Sequence, residues 1–313
     1  MSSPSSGTGD SAPSGGTARQ EAYDVGPAER VRQRAVDQGE SAAASRSWWD
    51  GVADEYYREH RAIVGVDVLM WGPEGVYESD LHLLGDVAGT DVLEFGAGAG
   101  QGSRWCVDHG ARAVATDLSA AMLARGRTLD QEQGRVPTEE QEREPTDEPG
   151  RGSPRPGRPS YVQCDATRLP FADRSFDTAF SAYGALPFVA DSAGLLTEVA
   201  RVLRPGGRLV FSVTHPLRWS LPDVPGRAGL EVRRSYFDRR PYVEENAAGR
   251  ATYVEHHRTI GDWVRQIVAA PLELREIVEP EWPEDRDHEW GGWSRLRGEL
   301  VPGTAIFAAH RAG

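Results

Sequence analysis

The sequence predicts an α/β fold in which a doubly wound, mostly parallel sheet carries helices on both faces. Two observations support this prediction. The apolar run 91–95 has the pattern of a strand and leads directly into a glycine turn that begins at Gly96. Further apolar runs alternate with helix-like stretches along the chain, which is typical of parallel strands joined by right-handed crossovers. Ligands of such sheets bind at the carboxyl ends of the strands.

Hydrophobic periodicity and turn residues define the individual elements. Residues 47–59 have a helical pattern, and residues 80–84 predict the beginning of a second helix before the first strand of the sheet. The predicted strands of the sheet are 91–95, 113–116, 161–164, 178–182, 208–214, 272–279 and 304–309.

A cofactor pocket is predicted by the segment E-F-G-A-G-A-G at residues 94–100. Glycines at alternate positions let the chain bend sharply and expose backbone N–H groups to a ligand. Gln101 stands where a dinucleotide fingerprint requires a third small residue, so the strict nicotinamide pattern fails. All 35 basic residues are arginines. Because a P-loop and Schiff-base chemistry both need a lysine, both are excluded.

A second strand pattern ends at Asp117, about twenty residues after the glycine turn, where a ribose-binding carboxylate is expected. Asp117 would accept hydrogen bonds from both ribose hydroxyls. The alternative is that Asp117 caps the helix that begins near Ser119, because aspartate before a helical run is a common cap.

Composition limits the class of protein. The chain has 313 residues, 39% of them hydrophobic, so it can bury one sizeable core. It has no apolar run near the roughly twenty residues of a membrane span, and its start lacks the apolar core of a signal peptide. Its two cysteines, Cys106 and Cys164, form no disulfide framework. We expect a cytoplasmic protein without a membrane partner.

The net charge of -13 argues against a nucleic-acid partner, because phosphate backbones require basic grooves. Residues 1–40 and 128–158 are rich in small, polar and charged residues. Such segments cannot repay the entropy of ordering, so a disordered tail and a disordered surface insertion are predicted. Residues 41–313 are expected to form one domain.

Three further segments follow the glycine turn in a fixed order: 161–166 (Y-V-Q-C-D-A), 175–181 (S-F-D-T-A-F-S) and 198–211 (E-V-A-R-V-L-R-P-G-G-R-L-V-F). Together with the first two motifs they resemble class I S-adenosylmethionine-dependent methyltransferases, in particular the type 11-like enzymes that act on small molecules. The resemblance extends from Trp48 to about Phe307. It implies a Rossmann-like sheet of seven strands with the last one antiparallel, S-adenosylmethionine as cofactor, and a small-molecule acceptor.

The resemblance also implies which residues contact the cofactor. Asp117 would hold the ribose diol beside Leu118, and Asp165 would accept from the adenine amino group. Tyr57 and Trp71 would close over the sulfonium by cation–π contact; alternatively, they bury the aromatic face of a helix on the sheet. The complete implied set is Glu94, Gly96, Ala97, Gly98, Asp117, Leu118, Asp165, Ala166, Ser181, Ala182, Tyr57 and Trp71.

Methyl transfer by in-line displacement depends largely on positioning, and a base helps when the acceptor must lose a proton. His215, at the carboxyl end of the fifth strand, is the first candidate for this base, and Tyr183 is the second. Pro216 offers the alternative that His215 is only a fixed strand-end residue. Residues 215–260 are rich in aromatic residues and include His256 and His257, so they predict a lid over the acceptor site. The alternative is that aromatic residues such as Trp219, Phe237 and Tyr253 only pack an added hairpin against the core.

Two other functions stay open at this point. A non-catalytic regulatory protein would retain the cofactor pocket without turnover, and a nicotinamide oxidoreductase is opposed by Gln101 and by the missing lysine. A metal site is not expected, because Asp287, His288 and Glu289 lack a recognised ligand spacing. The sequence does not indicate an oligomeric state.

Overall fold

The computed structural model describes residues 30–135 and 157–313, and its main feature is a sheet of seven strands. The spatial order of the sheet is β4-β3-β2-β5-β6-β10-β9. The strands of this sheet are β2 (Asp91–Phe95), β3 (Arg112–Asp117), β4 (Ser160–Gln163), β5 (Phe176–Ala182), β6 (Leu203–Thr214), β9 (Leu272–Val278) and β10 (Thr304–Arg311).

The direction of the strands confirms the predicted α/β class. Strands β2 to β6 pair in parallel, and β10 is antiparallel to both β6 and β9. The antiparallel strand is the last one in the chain, as expected, and it lies between β6 and the edge strand β9. All seven predicted strands are present, with bounds that differ by a few residues.

Seven helices connect the strands of the described residues. The longest, α1, begins after Asp37, whose carboxylate accepts from the Glu40 amide, and ends at Gly65 with a positive φ of 65°. The helices are α1 (Gln38–Val64), α2 (Glu78–Leu81), α3 (Gln101–Asp108), α4 (Ala120–Glu132), α5 (Ser192–Val202), α6 (Ile260–Ala269) and α7 (Arg295–Gly298). None of these helices is long and apolar enough to cross a bilayer.

Two apolar cores cover the two faces of the sheet, because consecutive strand residues point to opposite sides. Val92 belongs to the core that contains Trp71 and Phe180. Its neighbour Leu93 belongs to the other core, where Phe211 packs with residues of α5 and α6. A sheet buried on both faces explains why its strands read as nearly continuous apolar runs.

A small second sheet lies beside the main one and has the order β1-β7-β8, with β1 (Arg30–Gln33), β7 (Tyr242–Glu245) and β8 (Ala251–Glu255). Strands β7 and β8 belong to the insertion 215–260. Strand β1 and the beginning of α1 fall inside the predicted tail 1–40, so this prediction is wrong for residues 30–40. These residues are ordered by pairing with β7 and by an Arg34–Glu245 ion pair of 2.6 Å. Residues 1–29 lie outside the described part.

The predicted insertion 128–158 is also shorter in the structure. Helix α4 continues to Glu132, so the prediction is wrong at its first residues. Arg135 then donates to the Gly157 carbonyl at 3.0 Å and pairs with Asp108 at 2.7 Å. Arg135 and Gly157 therefore lie next to each other, and residues 136–156 lie outside the described part.

Arg104 of α3 is fully buried and pairs with the buried Asp130 of α4 at 3.3 Å. It also donates to the Val66 carbonyl at 2.7 Å and to the Tyr161 hydroxyl at 3.0 Å. Removal of one partner leaves the other charge buried without compensation. We expect Arg104→Met to lower the free energy of unfolding by about 3–5 kcal/mol in urea titrations.

The matched control is Arg58→Ala, which removes an arginine from an exposed ion pair with Glu55 and should leave the urea midpoint nearly unchanged. A second variant, Arg104→Met combined with Asp130→Leu, should recover part of the loss because no charge then stays buried. Equal stability of Arg104→Met and the wild-type protein would contradict this account.

Candidate functional site

A cavity opens at the carboxyl ends of β2, β3, β4 and β5, where the sequence places its motifs. Each of these strands contributes to the wall. Of the residues implied to bind the cofactor, the cavity is lined by Glu94, Gly96, Ala97, Gly98, Asp117, Leu118, Asp165, Ala166 and Ala182. The topology thus brings together residues that are up to 88 positions apart in the chain, from 94 to 182.

The glycine turn forms the floor of the cavity. Gly96 has a φ of 66°, and a Cβ at this position would lie 2.2 Å from the Ala185 nitrogen. Only glycine therefore fits between the turn and the segment after β5. Gly98 has a φ of 54° and donates its N–H to Asp117 Oδ2 at 2.8 Å. This bond fixes the turn against the next strand.

Glu94 stabilises the glycine turn through hydrogen bonds to the helix that follows it. Its Oε2 accepts from the Ser103 amide at 2.7 Å and from the Ser103 hydroxyl at 2.6 Å, which ties β2 to the first turn of α3. Burial raises the pKa of the Glu94 carboxyl to about 7, although the two bonds from Ser103 act in the opposite direction. Glu94 therefore supports the backbone that a ligand would contact.

Asp117 occupies the end of β3 with both carboxylate oxygens engaged by backbone amides. Oδ2 accepts from Gly98 and Oδ1 accepts from Ser119, each at 2.8 Å. The cap of α4 is Ser119 itself, whose hydroxyl accepts from the Met122 amide at 3.1 Å. The capping alternative for Asp117 is therefore wrong. Burial raises the pKa of the Asp117 carboxyl, and the amide bonds oppose this rise.

Asp165 also lines the cavity, two residues after the end of β4. Its Oδ1 accepts from the amide and the hydroxyl of Thr167, both at 2.8 Å. Its Oδ2 has a single long contact of 3.4 Å from Gln38 Nε2. Because a carboxylate oxygen accepts more than one hydrogen bond, Oδ2 can take a donor from a ligand in the cavity.

Helix α1 forms one side of the cavity. A region before the first strand was expected to close over the cofactor, but through Tyr57 and Trp71 and not through the residues found here. Residues Gln38, Ala42, Ser45, Trp49 and Tyr56 line it, at the spacing of one helical face. The Trp49 ring packs edge to face with the rings of Tyr56 and Phe188, at centroid distances of 5.2 Å and 5.7 Å. The Ser45 hydroxyl is buried and has no hydrogen-bond partner in the described part of the chain. The signal that could have revealed this face was the 3.6-residue period of the helix begun at residue 38.

Two aromatic residues expected at the cofactor lie elsewhere, so the predictions for Tyr57 and Trp71 are corrected. The fully buried Trp71 donates from Nε1 to Glu78 at 2.9 Å and packs against Phe180 in one core of the sheet. Tyr57 faces α4, with Arg125 over its ring at 4.8 Å. Neither side chain lines the cavity, and the neighbouring Tyr56 lies there instead of Tyr57. Both aromatic side chains are therefore buried by packing, as the alternative interpretation of the sequence holds.

His215 does not line the cavity, and both of its ring nitrogens have protein partners. Nδ1 accepts from the Leu217 amide at 3.1 Å, and Nε2 lies 2.7 Å from Glu279 Oε1. Burial lowers the pKa of His215, and Glu279 opposes this effect. The geometry matches the alternative of a fixed strand-end residue and not that of a base.

Three other polar residues named from the sequence are buried outside the cavity wall. Ser181 lies beneath Gly184, and its hydroxyl has no partner within the described residues. His256 lies 2.9 Å from the Ser41 hydroxyl, and His257 lies 2.7 Å from the Tyr236 carbonyl. His256 therefore connects the insertion to α1, whereas His257 joins two parts of the insertion. Neither histidine lines the cavity, and neither does any other residue of the predicted lid 215–260.

Tyr183 lines the cavity at the end of β5 and has an unusual backbone. Its φ is 53°, a conformation that few residues other than glycine adopt. Its amide donates to the Ser212 hydroxyl at 3.0 Å, and its own hydroxyl donates to the Gly303 carbonyl at 3.3 Å. Such strain persists only where surrounding contacts impose it and is common at functional sites.

These features fit S-adenosylmethionine. The carboxylates of Asp117 and Asp165 line the cavity at the ends of neighbouring strands, and Asp165 Oδ2 can accept a further hydrogen bond. Ser45 lines the cavity, and its buried hydroxyl forms no hydrogen bond with any residue that the structure describes. Apolar and aromatic residues complete the enclosure, which suits a nucleoside whose positively charged sulfonium can lie against aromatic faces.

Comparisons with known proteins agree with this geometry. A family model described as a methyltransferase domain matches residues 93–211. The demethylmenaquinone methyltransferase of Beutenbergia cavernae is 34% identical over 66% of this chain and 73% of its own length. The enzyme of the same name from Mycobacterium sp. strain JLS is 39% identical over 73% of this chain and 78% of its own length.

Among solved structures, an S-adenosylmethionine-dependent methyltransferase from Mesorhizobium loti has a TM-score of 0.50 and 26% identity, and the match covers 74% of this chain and 95% of the other. The fold, the ordered motifs and these relatives agree on one cofactor and one reaction class. The chain belongs to the class I S-adenosylmethionine-dependent methyltransferases.

Proposed function

We propose that this enzyme transfers the methyl group of S-adenosylmethionine to a planar aromatic small molecule of the quinone or hydroxylated-ring type. The observation that carries this proposal is the aromatic wall that continues from the cofactor site. Trp49, Tyr56, Phe188 and Trp290 line the same cavity as Asp117. Flat apolar rings of this kind bind a flat ring by stacking and edge contacts.

Two further observations support a small aromatic acceptor. The relatives from Beutenbergia and Mycobacterium are named for methylation of demethylmenaquinone, and they are similar over most of this chain. The net charge of -13 opposes a polyanionic acceptor such as nucleic acid. The cavity is enclosed by helix α1, which suits a ligand small enough to enter it.

We place the cofactor by the residues of the wall. Asp117 holds the ribose hydroxyls and Asp165 accepts from the adenine amino group, with Leu118 beside the base and the Ala166 amide toward it. Gly96 and Gly98 let the amino-acid portion approach the backbone, with Ala97 between them. The methyl group then points toward Ala182 and Tyr183, which stand at the end of the next strand. The acceptor lies between this end and the aromatic wall.

When bound, S-adenosylmethionine supplies an activated methyl group on a sulfonium. The protein contributes alignment, because the walls hold the acceptor in line with that group. Aromatic faces stabilise the positive charge before transfer, and α1 excludes water from the reacting atoms. No residue needs to form a covalent bond to the substrate.

The central test is methyl transfer from radiolabelled S-adenosylmethionine to a panel of naphthoquinols, catechols and aliphatic alcohols of similar size. We expect label in the aromatic products and little in the aliphatic ones. Calorimetry should show binding of S-adenosylmethionine and S-adenosylhomocysteine and none of NAD. Cofactor binding without transfer to any acceptor would instead support the non-catalytic alternative, and tight NAD binding would support the oxidoreductase.

Replacement of Asp117 by alanine should weaken S-adenosylmethionine binding by about 1–3 kcal/mol, because the ribose loses its acceptor. The measurement is the dissociation constant from calorimetry. The control is Asp173→Ala, which removes an exposed carboxylate that pairs with Arg201. Equal affinity of Asp117→Ala and the control would reject the role proposed for Asp117.

Replacement of Trp49 by alanine should raise the KM for the aromatic acceptor about tenfold and change the dissociation constant of S-adenosylhomocysteine less. The physical reason is the loss of one ring contact in the wall, worth roughly 0.5–1.5 kcal/mol beyond its buried area. Phe237→Ala is the matched control, because that ring is 70% exposed. A Trp49→Ala enzyme with an unchanged acceptor KM would place the acceptor elsewhere.

A further inference from the structure

Glu74 is a buried carboxyl group that the assignment of the cofactor site leaves unexplained. It is 1% exposed and belongs to the turn Gly72-Pro73-Glu74-Gly75, which the Gly75 amide closes by donating to the Gly72 carbonyl at 3.0 Å. Its Oε2 accepts from the Thr304 hydroxyl at 2.6 Å, whereas its Oε1 has no hydrogen-bond partner among residues 30–135 and 157–313. Burial of a carboxylate is costly when its hydrogen bonds are incomplete.

The fold makes space for this carboxyl group by means of two glycines on separate segments. A Cβ at Gly72 would lie 2.5 Å from Glu74 Oε2, and a Cβ at Gly303 would lie 2.3 Å from Oε1. Any larger residue would displace the carboxyl group. The turn itself is fixed from outside by His288, which donates to the Pro73 carbonyl at 2.7 Å. The position of Glu74 is therefore closely defined by its surroundings.

A short chain of hydroxyl groups connects Glu74 to the cavity. The Thr304 hydroxyl, which donates to Glu74, lies 3.4 Å from the Tyr183 hydroxyl. Tyr183 lines the cavity at the end where we place the methyl group, and Gly72 and Pro73 line it as well. The Tyr183 hydroxyl donates to the Gly303 carbonyl at 3.3 Å, and rotation about its C–O bond directs the proton to Thr304 instead.

We propose that Tyr183, Thr304 and Glu74 form a proton relay that carries the acceptor's proton away from the methyl-transfer site, with Glu74 as its final acceptor. This inference rests on the proposed function, because it assumes an acceptor that loses a proton on methylation. Glu74 acts through Thr304 and Tyr183 and is a positioning and proton-storing residue, whereas Tyr183 contacts the acceptor.

The step balances as follows. The acceptor atom forms a bond to the methyl carbon, and the electron pair of the broken carbon–sulfur bond stays on sulfur. The acceptor's proton moves to the Tyr183 oxygen, the Tyr183 proton moves to Thr304, and the Thr304 proton moves to Glu74 Oε2. Tyr183 and Thr304 end unchanged, and Glu74 ends as a carboxylic acid. Its proton returns to water after the product leaves.

The titration of Glu74 suits this role. Burial raises the pKa of its carboxyl group to about 7, although the bond from Thr304 acts in the opposite direction. The nearby titratable group inside the fold is Tyr183, whose own pKa burial raises. Outside the turn, His288 contacts Pro73 and Arg286 lies against Gly75. Tyr183 alone is a poor base at neutral pH, so a final acceptor behind it is needed.

The test compares Glu74→Gln, which keeps the shape but cannot take a proton, with the wild-type enzyme. Wild-type turnover should rise with pH through about 7, as Glu74 loses its proton and becomes able to accept one. In Glu74→Gln, turnover should fall by about 10²-fold and this rise should disappear. The dissociation constant of S-adenosylhomocysteine should stay within about twofold. Retention of the pH-dependent rise in Glu74→Gln would overturn the relay.

Two substitutions of Thr304 test the link between the ends of the relay. Thr304→Val removes the hydroxyl and should reproduce the loss of the pH-dependent rise, whereas Thr304→Ser keeps the hydroxyl and should restore it. Glu78→Gln is the matched control, because Glu78 is buried in the same segment but accepts from Trp71, Leu83 and Leu84 and does not line the cavity. This control should retain the rise. A Thr304→Val enzyme with a normal pH profile would remove Thr304 from the relay.

A second readout needs neither cofactor nor acceptor. A carboxyl group whose pKa is raised on folding stabilises the native state less as pH increases from its unfolded value to its folded value. The melting temperature of the wild-type protein, relative to Glu74→Gln, should therefore fall between pH 5 and pH 8. Glu94 is common to both proteins and cancels in this difference. A difference that does not change with pH would show that Glu74 does not titrate there, and the relay would be rejected.

These outcomes separate the relay from the proposed function. Methyl transfer to an aromatic acceptor with an unaltered pH profile in Glu74→Gln would sustain the function and reject the relay. Absence of transfer to any aromatic acceptor would reject the proposed acceptor class, and the melting comparison would still decide whether Glu74 titrates.

Discussion

The site depends on one close approach between two segments of backbone. The turn at Gly96 and the segment after β5 touch so closely that a Cβ on Gly96 would lie 2.2 Å from the Ala185 nitrogen, and one on Gly184 would lie 2.4 Å from the Gly96 carbonyl oxygen. Two neighbouring parallel strands therefore end at the same level. The carboxylate of β3 and the tyrosine of β5 reach the same cavity because this contact fixes the loops that carry them.

The second constraint is the position of α1 over the strand ends. The helix packs against β8 of the small sheet, and its Ser41 hydroxyl donates to the Phe188 carbonyl at 2.7 Å. Gln38 contacts Asp165 and also accepts from the Asp191 amide at 3.2 Å. The helix thus contacts both the main sheet and the insertion. These contacts fix the position of the aromatic residues of α1 relative to Asp117 and Asp165. The chemistry proposed for the site needs this alignment more than it needs any single reactive group.

The sequence predicted the sheet and its motifs well because local signals control them. The run 91–95 and its glycines are both a strand signal and a ligand signal, and Asp117 and Asp165 follow strands whose ends must meet at one edge. Residues that approach the cavity from a helix were harder to predict. Tyr56 and Tyr57 are adjacent, and only the true phase of α1, which begins at residue 38, decides which one faces the cavity.

His215 and Trp71 failed as predictions for a different reason. Histidine and tryptophan both suit a catalytic or cofactor role, but here they bind partners that are distant in sequence. Glu279, which contacts His215, is 64 positions away, and Phe180, which packs against Trp71, is 109 positions away. Glu74 was missed for the converse reason. Nothing local marks it as unusual, and only the approach of Thr304, 230 positions away, shows that it is buried beside the cavity. Such long-range pairings are a property of the assembled fold.

The location of the covering helix has a consequence for the modularity of this enzyme. The family match spans residues 93–211, which hold the sheet's central strands and both carboxylates, whereas the helix that covers them precedes this region. A chain cut between residues 65 and 90 would keep Asp117 and Asp165 but lose the α1 residues that line the cavity together with them. Residues 93–211, which match the family model, therefore form only part of the cavity wall. The proposed reaction needs the whole chain, because α1 supplies another part of that wall.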